Sequence, residues 1–177
     1  MKPRGRTRTE REVRDLFHDY EFIGHVLRAS VLVEFDLDIL LTVYFTRSDR
    51  AESFLEGVLP HLTFDRKIRI LSQLPLRKSL KTVVRIIPDL RHLQKIRNTV
   101  AHGAVVSPRR LTELCKDVDI AKLLFDYPAS LQSLSRQIRR DFTYLAKLRE
   151  FRHDSKAETP NATMYRFMKF FERMSDV

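Results

Sequence analysis

Residues 95–104, KIRNTVAHGA, place an arginine, an asparagine and a histidine near the end of a predicted helix. A histidine can transfer protons near neutral pH, and an arginine can hold two oxygens of a phosphate. Cleavage of RNA needs a proton acceptor for the 2′-hydroxyl, a proton donor for the leaving oxygen and positive charge for the phosphorane. His102, Arg97 and Asn98 are therefore the candidate catalytic residues, with Asn98 binding phosphate or orienting the imidazole.

The spacing of Arg97 and His102 favours cooperation between two chains. Successive residues of an α-helix are rotated by about 100°, so residues five positions apart lie about 140° apart around the axis. These two side chains therefore converge poorly within one chain. Two copies of the helix facing each other across a two-fold axis can place groups from both chains in one cleft. We therefore expect a homodimer.

A structural interpretation of the same residues stays open. Arg97 falls within the apolar stripe of its helix, and a buried guanidinium needs a carboxylate partner. An apolar stretch earlier in the chain contains Glu34 and Asp38, which share a helix face, so we expect Arg97 to pair with one of them. His102 can simply interact with the C-terminal dipole of its helix.

Helices are the elements expected to position these groups. The chain has 177 residues, of which 43% are hydrophobic, and its four glycines and seven prolines are too few for the turns of a sandwich or barrel. Residues 9–46 predict one long helix or two helices meeting near Gly24. Residues 26–45 are apolar almost all round, which is typical of a central or interface helix. The predicted fold class is all-α.

Capping residues and apolar periodicity predict the later helices. Thr63 is expected to cap one of them, with Phe64, Ile68 and Leu71 buried. Pro88 is expected in the first turn of the helix that ends near Gly103. Residues 118–127 fit either a strand or a helix. The predicted helices cover about 49–58, 64–73, 76–86, 88–103 and 129–152.

One helical domain is expected over residues 10–152. Residues 1–9 are basic and poor in hydrophobic residues, which predicts a disordered arm. Residues 153–177 predict a linker and a final amphipathic helix.

A lone cysteine, Cys115, allows no intrachain disulfide, and no apolar run is long enough to span a bilayer. We therefore expect a cytoplasmic location and no membrane partner.

The charge balance points to a polyanionic partner. The chain has 33 Lys and Arg residues against 23 Asp and Glu residues, a formal net charge of +10. RNA is the partner that this charge and the candidate chemistry favour together, although a solvated basic surface is the alternative. Arg66, Lys67 and Arg69 form one basic cluster that could follow a phosphate backbone. The predicted RNA-binding residues are Arg91, Lys95, Arg136, Arg139 and Arg140.

The sequence gives no motif for a metal or cofactor. The six histidines include no H-E-x-x-H pair, and Cys115 has no cysteine companion. There is also no glycine-rich phosphate loop. We therefore expect neither a dedicated metal site nor a cofactor.

Three segments in order resemble the HEPN superfamily, including its mannitol-operon regulator-like relatives. They are the acidic and apolar helix LVEFDLDILLTVYF, the FDRKIRIL segment and LQKIRNTVAHG, which matches the Arg-x4–6-His signature of that superfamily. The resemblance covers about residues 25–104. It implies a helical bundle that dimerises, with a long central helix and here additional C-terminal helices.

For active members, the resemblance implies metal-independent endoribonuclease activity in toxin–antitoxin systems or antiphage defence. Arg97 and His102 would be the catalytic pair, Asn98 their polar companion, and Glu34 or Asp38 the supporting acid. Toxins paired with nucleotidyltransferase antitoxins carry a tyrosine two residues after the histidine, whereas this chain has Ala104. Regulation by modification of that tyrosine is therefore not expected, although an antitoxin or regulatory protein is a possible partner. Many members are noncatalytic interaction or dimerisation modules, which is the alternative function.

Overall fold

The computed structural model describes residues 10–46, 48–74, 81–102, 113 and 116–147. These residues form seven α-helices and contain no strand, which confirms the all-α prediction. No helix within the described ranges is long and apolar enough to cross a membrane. The predicted arm at residues 1–9 and the predicted segment at residues 153–177 lie outside this part of the chain.

The described helices are numbered in chain order. Two 3-10 turns, Ser48–Arg50 and Leu59–His61, flank the third helix. The helices are α1 (Glu10–Leu16), α2 (Tyr20–Phe45), α3 (Ala51–Gly57), α4 (Phe64–Gln73), α5 (Lys81–His102), α6 (Val118–Phe125) and α7 (Ala129–Lys147).

The break in the N-terminal helical stretch lies before α2, so the predicted junction near Gly24 is wrong. Asp19 has an extended backbone, and its carboxylate accepts a hydrogen bond of 2.8 Å from the backbone N–H of Glu21. Gly24 lies inside α2, where an added Cβ would meet nothing within 4 Å. The N-cap decides the boundary because aspartate favours that position strongly, whereas an internal glycine costs a helix only modestly.

Helix α2 is the centre of the bundle and packs against α3, α4, α5 and α7. Its buried residues meet apolar side chains from the helices on each side, as the nearly continuous apolar sequence predicts. The residues fully buried in this core include Val33, Leu37, Leu40 and Leu41 of α2, Ile68 and Leu71 of α4, Leu90 and Leu93 of α5, and Ile138 and Leu145 of α7.

The predicted capping of α4 is confirmed, whereas the predicted role of Pro88 is wrong. The Thr63 hydroxyl accepts a hydrogen bond of 3.3 Å from the backbone N–H of Arg66 at the start of α4. Helix α5 begins at Lys81, so Pro88 lies inside it. Pro88 is exposed, and its ring removes one backbone hydrogen bond from the interior of α5.

The ambiguous segment after residue 117 is helical. Asp117 caps α6, because its carboxylate accepts a hydrogen bond of 3.3 Å from the backbone N–H of Ile120. An aspartate N-cap selects helix over strand for this short apolar segment. Helix α7 follows and buries Leu131, Ile138, Phe142 and Leu145, while Leu134 is partly buried and Leu148 lies outside the described residues.

Candidate functional site

The candidate catalytic residues lie on the C-terminal part of α5. Helix α5 extends through His102, so the backbone places His102 at the helix end, as the sequence predicts. Arg97 is 31% exposed, and Asn98 beside it is exposed. The side chain of His102 lies outside the described part of the structure.

Arg97 pairs with an acid of α2, as predicted. Its Nη1 atom lies 3.2 Å from Oε2 of Glu34, and its Cζ atom lies 5.7 Å from the ring centroid of Phe64 on α4. The carboxylate and the aromatic face hold the guanidinium from two sides. Because about a third of the side chain is still accessible, the guanidinium can also meet an anion from solvent.

Lys67 is the buried cation of this region, although its sequence neighbours suggested a surface basic cluster. Its side chain is only 4% exposed. The Nζ atom donates to Oε1 of Glu34 at 3.0 Å and to Oδ2 of Asp38 at 2.8 Å. Lys67 therefore cannot follow a phosphate backbone together with Arg66 and Arg69, which are exposed.

Glu34, Asp38, Lys67 and Arg97 form one charged group that joins α2, α4 and α5, and we refer to it as the charged cluster. The two oxygens of Glu34 are divided between Lys67 and Arg97. Burial raises the pKa of Asp38 and Glu34 raises it further, while the hydrogen bond and charge of Lys67 lower it. Atom Oδ1 of Asp38 is buried without a hydrogen-bond partner among the described residues.

A second buried ion pair joins α2 to α7. Nε of Arg139 lies 2.8 Å from Oδ2 of Asp36, and the two side chains are 16% and 4% exposed. Burial raises the pKa of Asp36 from its ordinary value of 3.8 to about 6, against the lowering effects of the hydrogen bond and charge of Arg139. Arg139 is thus turned inward, away from the surface at which it was predicted to contact RNA.

The other predicted RNA-binding residues differ in their exposure and in their contacts with neighbouring side chains. Arg136 and Arg140 are exposed on α7, and Arg136 donates to Gln132 at 3.3 Å. Lys95 is 49% exposed, with Nζ 3.7 Å from Oδ2 of Asp117. Arg91 forms an ion pair with Asp65.

Arg91 is therefore partly neutralised by its neighbour on α4. Its hydrogen bond lowers the pKa of Asp65, so the carboxylate is charged at neutral pH. Lys95, Arg136 and Arg140 retain the greatest freedom to contact a polyanion.

Sequence reasoning missed the inward roles of Lys67, Asp36 and Arg139. For Lys67 a signal was present, because it lies three residues after Phe64 and four before Leu71, on the apolar stripe of α4. No comparable signal marked the pairing of Asp36 with Arg139. Those residues are far apart in the chain, and only the packing of α7 on α2 brings them together.

Comparisons of the chain with protein-family models, with curated proteins and with solved structures found no match.

Proposed function

We propose that the protein is a metal-independent endoribonuclease that acts as a homodimer, as a toxin or an antiphage-defence effector. Arg97 binds the scissile phosphate and stabilises the negative charge of the transition state. His102 transfers the protons, and Asn98 orients the substrate or the imidazole. The observation that supports this proposal best is the Arg97 side chain, which contacts Glu34 and Phe64 yet remains 31% exposed, on the helix that ends at His102.

The proposed dimer uses the face of α2 that leads to Arg97. Leu27 and Val31 on this face are 37% and 60% exposed. Glu34, the partner of Arg97, follows Val31 after almost one helical turn and therefore continues the same face. An exposed apolar stripe beside a charged site is suited to packing on a second copy. Such packing would place the α5 ends of two chains close together, which the spacing of Arg97 and His102 requires.

The reaction proposed is an internal transesterification of RNA. His102 removes the proton of a 2′-hydroxyl, and the 2′-oxygen attacks the adjacent phosphorus. The bond from phosphorus to the 5′-oxygen breaks, and that oxygen receives the proton that His102 took from the 2′-hydroxyl, which leaves a 2′,3′-cyclic phosphate and a 5′-hydroxyl end. Arg97 balances the extra negative charge on the non-bridging oxygens while the phosphorus is five-coordinate.

We expect RNA digestion by the wild-type chain in EDTA, and a loss of about 10²–10⁴-fold in the rate for His102→Ala, since this is the usual contribution of a general acid–base group. His61→Ala is the matched control, because His61 is an exposed histidine in a turn away from α5. Cleavage of a labelled RNA, followed by gel electrophoresis, measures the rates. Equal rates for the wild type and His102→Ala would reject the assignment.

A noncatalytic dimerisation or regulatory protein is the second candidate function. The engagement of Arg97 by Glu34 and Phe64 favours it, because a residue that ties α5 to α2 and α4 has a structural role without any substrate. This function predicts no cleavage of RNA by the wild type. The digestion in EDTA therefore separates the two candidates.

A further inference from the structure

Three potential metal ligands meet where the start of α6 approaches α5. They are His92 of α5, the N-cap Asp117 and Asp119 in the first turn of α6. One imidazole nitrogen and one oxygen from each carboxylate all lie within 4.8 Å of one another. We propose that these three residues bind a divalent transition-metal ion such as Zn²⁺, and that the ion ties α6 to α5.

The separation of the ligand atoms suits a shared ion better than a direct hydrogen bond. Nε2 of His92 lies 3.7 Å from Oδ1 of Asp117, which is beyond normal hydrogen-bond distance. In a tetrahedral zinc site with bonds of about 2.0–2.1 Å, two ligand atoms lie about 3.3 Å apart. A small inward movement of the side chains would therefore bring both atoms to the ion.

The ligand types select a class of metal. An imidazole together with two carboxylates suits Zn²⁺ and similar first-row ions, whereas Mg²⁺ and Ca²⁺ prefer sites made only of oxygen atoms. Three protein ligands leave a fourth position for water in a tetrahedral site. His92 is only 16% exposed and Asp117 is 30% exposed, so packing already restricts the histidine before an ion arrives.

The surrounding charges are mixed. Asp89, one turn before His92 on α5, interacts with the charges of His92 and Asp119. Lys95 is the competing cation, with Nζ 3.7 Å from Oδ2 of Asp117. Lys95 is 49% exposed and its side chain can move into solvent, so an ion can replace it beside that carboxylate.

The proposed site is independent of the ribonuclease chemistry, which uses no metal. Sequence spacing did not predict it, because His92 lies 25 positions before Asp117 and meets the two aspartates only when α6 packs on α5. The ion would join α5, which carries Arg97 and His102, to α6. It would therefore stabilise the fold near the candidate catalytic segment without taking part in the reaction.

Zinc titration of the chelator-stripped full chain, followed by calorimetry, tests the site. We expect one Zn²⁺ per chain, with binding weakened at least about tenfold by His92→Ala and by Asp119→Asn. The matched controls are His61→Ala and Asp126→Asn, which change an exposed histidine and an exposed aspartate at the far end of α6. Both controls should bind like the wild type. No binding by the wild type, or equal binding by His92→Ala and the controls, would overturn the proposal.

The absorption spectrum of bound Co²⁺ is a second measurement, which reports the types of ligand and not the binding affinity. Co²⁺ in the proposed site has only nitrogen and oxygen ligands, so its spectrum should contain d–d bands without a thiolate charge-transfer band. A thiolate band would assign the ion to Cys115 and overturn the proposed ligand set. Asp119→Asn changes an exposed residue, so circular dichroism should show an intact fold in this variant and leave the loss of binding attributable to the ligand.

Discussion

Lys67→Met is expected to lower the free energy of unfolding by about 3–5 kcal/mol, the usual effect of breaking a buried ion pair. Lys67 is 4% exposed and bonds to both Glu34 and Asp38, which are themselves only 20% and 15% exposed. The variant leaves two carboxylates close together, with Arg97 as the remaining cation at Glu34. Urea unfolding at a fixed protein concentration measures the change.

Arg66→Met is the matched control for that experiment, because Arg66 is the exposed neighbour of Lys67 on α4. We expect a change within about 0.5 kcal/mol for the control, as for most surface substitutions. A double variant that also carries Asp38→Asn should recover much of the lost stability, since it removes the carboxylate left without a cation and keeps Glu34 paired with Arg97. If Lys67→Met were as stable as Arg66→Met, the buried charged cluster would be contradicted.

Arg139→Met is expected to cost about 1–2 kcal/mol at pH 7, because Asp36, whose pKa burial raises to about 6, then loses its cation and must either stay buried as an unpaired carboxylate or bind a proton. Asp36 is 4% exposed, so water cannot replace the lost partner easily. Arg140→Met, which changes the exposed neighbour on α7, is the matched control. Equal stability of the two variants would contradict the inward position of Arg139.

The cost of Arg139→Met should depend on pH. Burial raises the pKa of Asp36 from 3.8 to about 6, so the folded chain holds this proton more tightly than the unfolded chain. The stabilisation from the neutral carboxyl is complete below the ordinary pKa and is lost as the pH rises through about 6. The difference between wild type and Arg139→Met should therefore be small near pH 4 and grow toward pH 7, roughly as the carboxyl ionises. A difference that is independent of pH would contradict this account.

Local signals in the sequence predicted much of the helical fold. Thr63 marked the start of α4 because a threonine side chain can satisfy a free N–H at a helix end. The apolar stretch of α2 predicted a central helix because most of its side chains avoid water. Pro88 misled the prediction, since a proline favours the first turn of a helix and is disfavoured farther in, yet α5 begins seven residues before it.

The residue types on the apolar stripes predicted one ion pair of the candidate site but not the others. The pairing of Arg97 with Glu34 followed from a cation on one apolar stripe and acids on another. Which of Glu34 and Asp38 pairs with Arg97 depended on Lys67, because Lys67 already binds Asp38 and one oxygen of Glu34. Likewise, the sequence predicted that Arg139 lies on a basic surface, but the packing of α7 on α2 places it against Asp36. These outcomes depend on how helices pack, which a local pattern does not contain.

Subunit mixing tests most directly whether Arg97 of one chain works with His102 of the other. Arg97→Gln and His102→Ala should each be nearly inactive alone, but their mixed dimer would contain one intact composite site. After unfolding and refolding together in equal amounts, random pairing makes half of the dimers mixed, so about a quarter of the wild-type rate of RNA cleavage in EDTA should return. No gain over the separate variants would contradict a site shared between two chains.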